Sequence, residues 1–257
     1  MDTPVSRWID TTKPSDQARL RLFCFPFAGG GAAVYRAWPG SFPSSIAVHA
    51  VRLPGRETRI LEPSFRSLET LIPALAEGLL PLLDRPFAFF GHSMGGLISY
   101  ELTRHLIAHH GLCPAHLFVS AHRAPQLPNP NPTVYRLPED GFIRYLRDMN
   151  GTPDEVLRNT DLMQLVVPIL RADFELCGTY QHQPGAPLPC PISAFAGTQD
   201  AIASYDQVEP WREQTSGQFL IRALPGNHFF LNSAQSLLLW AIQRDIDLDL
   251  AEISRAA

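Results

Sequence analysis

Apolar residues along this chain fall into short, nearly unbroken runs separated by longer stretches of helical period. Leu20–Phe25, Ile46–Leu53, Phe87–Phe90, Leu117–Ala121, Ile192–Gly197 and Phe219–Leu224 each read as a strand. Most are continuous rather than alternating, the pattern of strands covered on both faces of a parallel sheet. Between them, Leu68–Leu83 and Met94–His109 read as helices, and the second places Leu97, Ile98, Leu102 and Leu106 near one face. Strands alternating with helices predict a mostly parallel α/β sheet with right-handed crossovers.

One interval is far longer than a crossover requires. It opens with Pro125, Pro128, Pro130, Pro132 and Pro138, then reads as helical around Gly141–Met149, Pro153–Asn159 and Leu162–Tyr180. Pro168 is expected to interrupt and kink the last of these, because its ring removes one helical N–H and crowds the preceding turn. The strand pattern resumes at Ile192. Residues 125–191 are therefore expected to be a helical lid inserted into a single domain spanning 1–257, rather than a second domain. No internal repeat or low-complexity tract interrupts the chain.

Composition narrows the possible partners. With 257 residues, 45% hydrophobic and 18% charged, the chain has the balance of an ordinary globular protein. A net charge of −4 without a basic stretch argues against nucleic acid. No apolar run approaches the roughly 20 residues that cross a bilayer. The start, with Asp2, Arg7 and Asp10, lacks the apolar core of a secretory signal, so a cytoplasmic location away from membranes is expected. Cys24, Cys113, Cys177 and Cys190 form no Cys-x-x-Cys pair and read as free, mostly buried thiols. No histidine pair has zinc-ligand spacing, and no metal is expected.

The sharpest chemical signal is Gly91-His92-Ser93-Met94-Gly95-Gly96, placed between an apolar strand and a helical stretch. In that context a Gly-x-Ser-x-Gly match marks a tight strand-to-helix turn that holds the serine out over a helix N-terminus. The fold this predicts is the α/β-hydrolase, with Ser93 as nucleophile. A serine hydroxyl needs a base, and the base needs a carboxylate to orient it. In this fold they follow in the order nucleophile, acid, histidine. Ile192–Gly197 runs into Thr198-Gln199-Asp200, which makes Asp200 the candidate acid ahead of Asp206 and Glu209. Of the nine histidines only His228 lies beyond it, in the loop after Phe219–Leu224.

The remaining histidines are given structural or surface roles. His92 is expected to point away from Ser93, and His122 could line the pocket. His105, His109 and His110 belong to a helix surface or its end, and His49, His116 and His182 show no partner spacing. An oxyanion hole needs two backbone N–H groups. Met94 supplies one, and the loop Phe25-Pro26-Phe27-Ala28-Gly29-Gly30-Gly31 supplies the other through Ala28 or Phe27. That loop lacks the Gly-x-Gly-x-x-Gly or Lys-Ser/Thr pattern of a nucleotide cradle.

Taken together, these residues resemble the type II thioesterases of nonribosomal peptide and polyketide assembly lines, from about Leu20 to Leu238. The resemblance rests on Pro26-Phe27-Ala28-Gly29-Gly30, Leu53-Pro54-Gly55-Arg56-Glu57, Gly91-His92-Ser93-Met94-Gly95-Gly96, Leu170-Arg171-Ala172-Asp173, Gly197-Thr198-Gln199-Asp200 and Gly226-Asn227-His228-Phe229-Phe230. It implies the Ser93–Asp200–His228 triad, an oxyanion hole from the backbone of Ala28 and Met94, and a helical lid. It implies hydrolysis of stalled or aberrant acyl groups from the phosphopantetheine arm of acyl or peptidyl carrier domains. The arm belongs to the substrate, so no cofactor is expected, and the protein is expected to act as a monomer. Phe27, Gly31 and Asn227 depart from the commonest wording (tyrosine, serine and glycine), without removing a catalytic group. Alternative readings are a small-ester hydrolase, a chain-releasing fatty-acyl thioesterase, and a non-catalytic module that binds acylated carriers.

Overall fold

The computed structural model describes residues 7–10, 17–149 and 159–256. Its centre is a seven-stranded sheet of β1 (Ile9–Asp10), β2 (Leu20–Phe25), β3 (Ile46–Val51), β4 (Phe87–His92), β5 (His116–Ser120), β6 (Ile192–Gly197) and β7 (Phe219–Leu224). The strand order is β1-β3-β2-β4-β5-β6-β7, parallel throughout except where β1 pairs antiparallel with β3. The main helices are α1 (Leu68–Leu79), α2 (Met94–His110), α3 (Glu139–Asp148), α4 (Thr160–Thr179) and α5 (Gln235–Ala256).

The unbroken apolar runs are explained by what covers the sheet. Phe23, Phe25, Phe87, Phe89, Leu117 and Val119 face a core shared with α1 and α2. Their neighbours Leu22, Cys24, Ala88, Phe90 and Phe118 face a second core, built with α5 and the short turns Ala32–Tyr35 and Trp38–Gly40. Successive side chains point to opposite faces of a strand, so a sheet packed on both sides favours apolar residues at successive positions.

Three features differ from the sequence expectation. β1 is too short to carry a period and is defined by its register, Ile9 opposite Val51 and Asp10 opposite Ala50. Helix α5 lies beyond the predicted elements, and its Leu238, Ile242, Ile246 and Leu250 recur every four residues and are buried. Its Asp245 accepts two hydrogen bonds from the Arg222 guanidinium on β7, both 2.7 Å, which tie the helix to the sheet.

Helix α4 runs without interruption through Pro168. A mid-helix proline costs about 3 kcal/mol. Here burial of Met163, Val167 and Leu170 along one side and of Leu176 against the main core, with Asn159 capping the Leu162 N–H, offsets that cost. The helical expectation at Pro153–Asn159 falls almost wholly outside the described residues. The four cysteines are free: Cys24 and Cys190 buried, Cys177 partly buried and Cys113 exposed. Among the described residues, no helix is long and apolar enough to cross a membrane.

The chain passes from β2 to β3 on one side, then returns past β2 to β4 on the other. Such a reversal opens a crevice at the carboxyl ends of the strands, where ligands bind in open α/β sheets. The loop after β2 and the turn after β4 meet at this point.

Candidate active site

β4 ends at His92 and α2 begins at Met94, so Ser93 alone makes the turn. Its backbone sits at φ 53° and ψ −120°, a region that costs a side-chain-bearing residue about 1–3 kcal/mol. Glycines make the turn possible. A Cβ on Gly91 would collide with the Gly95 carbonyl, and one on Gly95 with the Phe25 carbonyl at the end of β2. With neither present, the first turn of α2 presses against both strand ends and brings the loop after β2 alongside Ser93.

Ser93, Asp200 and His228 come together from three strand ends. The Ser93 Oγ lies 3.0 Å from His228 Nε2, and His228 Nδ1 lies 2.9 Å from Asp200 Oδ2. The other carboxylate oxygen, Oδ1, accepts the N–H groups of Ile202 at 2.8 Å and Ala203 at 3.0 Å. Asp200 is 6% exposed and His228 4%. An ionised carboxylate only accepts, so Nδ1 carries the imidazole proton and Nε2 presents a lone pair to the serine hydroxyl. This arrangement can draw a proton from Ser93 as its oxygen attacks a carbonyl carbon.

Asp206 is exposed in the first turn of Tyr205–Val208, and Glu209 pairs with Arg212 at the surface. Neither reaches His228. Met94 opens α2, so its N–H is one of the donors a helix leaves unpaired. Ala28 lies in the loop after β2. Among the described residues, neither amide donates to a protein acceptor.

His92 does more than point away. It is fully buried, with Nε2 2.9 Å from the His228 carbonyl and Nδ1 2.9 Å from Ser120 Oγ. A carbonyl can only accept, so Nε2 carries the proton and Nδ1 accepts from the Ser120 hydroxyl. Burial holds His92 well below the ordinary histidine pKa, so it stays neutral and anchors the backbone of the His228 loop. Nothing in sequence spacing points to this role, because His92 and His228 are 136 residues apart. His122 lines the cavity. Its enclosure lowers its pKa to about 3, and its Nδ1 donates to the Arg123 carbonyl at 2.6 Å. His116, without an evident partner in the sequence, is buried and bridges Ser193 Oγ and Asp249, each at 2.9 Å.

Ser93 and His228 open onto a cavity of about 270 Å³ that Ala28 and Met94 also line. Val134, Tyr145 and Phe174, all within residues 125–191, form its opposite wall. A smaller apolar recess adjoins the same pair, walled by Phe27, Leu146, Leu170 and Phe229. A larger cleft of about 700 Å³ between α1, α2 and the end of α4 contains none of these groups and is remote from the chemistry.

A family model described as the thioesterase domain matches residues 20–246. The chain is 45% identical over 241 residues to linear gramicidin dehydrogenase LgrE of Brevibacillus parabrevis, covering 93% of this chain and 92% of that protein. Its structure is similar to RedJ, a thioesterase from the prodiginine biosynthetic pathway of Streptomyces coelicolor. That match has a TM-score of 0.86 at 38% identity, over 92% of this chain and 94% of the other. It is also similar to BorB, a type II thioesterase from the borrelidin biosynthetic cluster, with a TM-score of 0.84 at 31% identity, over 93% and 97% of the two chains. The serine turn, the order of the three strand-end residues and the family model agree, and this α/β-hydrolase chain belongs to the thioesterase domain family.

Proposed function

We propose that this protein is a type II thioesterase, hydrolysing acyl thioesters on the phosphopantetheine arm of carrier domains and so clearing stalled or aberrant acyl groups. The observation that carries the reading is the hydrogen-bonded series Ser93–His228–Asp200 at the strand ends of a thioesterase fold. In the first half-reaction the Ser93 Oγ bonds to the thioester carbon while its proton passes to His228 Nε2. The carbonyl oxygen becomes an anion, received by the N–H groups of Ala28 and Met94. Asp200 stabilises the imidazolium. The C–S bond then breaks, and His228 returns its proton to the departing sulfur of the arm. Water repeats the sequence in the second half-reaction: His228 takes its proton, its oxygen attacks the acyl ester, and the acid leaves with Ser93 restored.

These steps need only the chain's own residues and water, so the arm enters as part of the substrate and not as a resident cofactor. Residues 125–191 act as the lid, of which Val134, Tyr145 and Phe174 line the cavity at Ser93. Carrier domains are the partners, and the protein works as a monomer in the cytoplasm.

The name of the gramicidin relative raises a dehydrogenase reading, for which a dinucleotide would need the glycine-rich loop after β2. There the Glu57 carboxylate accepts the N–H groups of Ala32 at 3.1 Å and Ala33 at 2.9 Å. A negative charge thus holds the amides that a pyrophosphate would require.

The carrier reading is tested by presenting one acyl group on a carrier domain and as its p-nitrophenyl ester. We expect a higher kcat/KM for the acyl-carrier. A small-ester hydrolase would give the reverse order, and that result would replace the proposal.

A further inference from the structure

The loop that offers the Ala28 amide is rich in glycine and would, left alone, sample many backbone conformations. Two side chains distant in sequence hold it. Arg56, in the segment after β3, donates from Nη1 to Asp173 Oδ2 at 2.9 Å and from Nη2 to Asp173 Oδ1 at 2.7 Å. The same Nη1 donates to the Gly30 carbonyl at 2.9 Å. Asp173 Oδ2 also accepts the Gly29 N–H at 2.7 Å. Arg56 is 5% exposed and Asp173 2%, so the pair is dry. At the far end of the loop, the neighbouring Glu57 accepts the Ala32 and Ala33 amides.

Gly29 sits at φ +79°, and a Cβ there would strike the Leu170 side chain of α4. The loop is therefore clamped between Arg56 and one face of α4, from which both Leu170 and Asp173 project. The Gly29 N–H belongs to the peptide plane that joins Ala28 to Gly29. Fixing that plane fixes the carbonyl side of Ala28 and leaves only that residue's own φ and ψ between it and the Ala28 N–H.

We infer that Arg56 and Asp173 are positioning residues for the oxyanion hole: they hold the Ala28 amide in register with the Met94 amide. Because Asp173 stands on α4, the seating of that helix over the site and the readiness of the hole become one event. A buried ion pair is a poor choice if adhesion alone were required, since apolar residues of similar volume usually hold a helix as well or better. Apolar residues could neither accept the Gly29 N–H nor donate to the Gly30 carbonyl. The inference rests on the reading of Ala28 and Met94 as oxyanion donors.

The test uses the paired substitution Arg56→Met with Asp173→Leu, which removes both charges without stranding either, and the single change Asp173→Asn. Three quantities are measured on each: kcat and KM for a small acyl thioester, affinity for an alkyl trifluoromethyl ketone, and affinity for the matching thioether. The ketone adds Ser93 to form an oxyanion in the hole, whereas the thioether only occupies the pocket. Misplacing a catalytic group by about 1 Å costs up to about 10²-fold. The double variant should accordingly lose about 10–100-fold in kcat and in ketone affinity, with KM and thioether affinity within about threefold of the parent. Asp173→Asn keeps an acceptor for Gly29 and should show the same selective loss, but smaller. Should the double variant fail to fold, the same selective loss in Asp173→Asn carries the inference. Parent-like kcat and ketone affinity in the folded variants would overturn it, as would equal weakening of ketone and thioether. A ketone that binds Ser93→Ala as tightly as the parent would instead remove the active-site reading, a distinguishable failure.

Discussion

Replacing Ser93 by alanine is expected to lower kcat for thioester hydrolysis by about 10⁶, leaving the fold unchanged. The scale follows from the geometry. Ser93 supplies the oxygen aligned with the His228 lone pair, and among the described residues no other hydroxyl reaches that nitrogen. The substitution also relieves nothing elsewhere, since the Ser93 N–H bond to the Ser120 carbonyl, 2.7 Å, belongs to the backbone. A fluorophosphonate should label the parent at Ser93 and leave Ser93→Ala unlabelled. Rates from single-turnover assays and a peptide map of the labelled protein check both expectations.

Asp200→Asn should lower kcat by about 10⁴. Asparagine can place an NH₂ against His228 Nδ1 and so favours the tautomer that presents a proton, not a lone pair, to Ser93. The alternative flip turns the NH₂ toward the Ile202 and Ala203 amides, which are donors already. The first orientation leaves Ser93 facing a proton instead of a base, and the second sets donor against donor. Asp206→Asn should leave kcat within about twofold of the parent, as expected for a surface change without a partner. Exchange of the two results would place Asp206 in the proton relay and require a different loop conformation after β6.

The contrast between these two aspartates shows how far the sequence could be read. Asp200 was legible because a strand end precedes it and a lone histidine follows it, both one-dimensional facts. The strands were legible because a sheet packed on both faces leaves few polar positions to confuse the pattern. Other features depend on contacts that the order of residues does not encode. β1 exists through its register with β3. Helix α4 tolerates Pro168 through tertiary burial, which the local rule for proline leaves out. The anchor from His92 to the His228 loop, and the Arg56–Asp173 pair across 117 residues, arise only when distant strand ends converge. The Arg56 and Asp173 segments carry the family resemblance, but their pairing is not encoded in either motif alone. Helix α5 is the opposite case, since the four-residue spacing of Leu238, Ile242, Ile246 and Leu250 is itself a one-dimensional signal.

The most direct test of the account follows both proteins by mass spectrometry during one turnover of an acylated carrier domain. The account predicts that the carrier arm loses the acyl mass while the same mass appears briefly on the peptide holding Ser93. It further predicts that Asp200→Asn slows both events and that Ser93→Ala abolishes both. Deacylation of the carrier by Ser93→Ala at the parent rate, or an acyl adduct on any other residue, would contradict it.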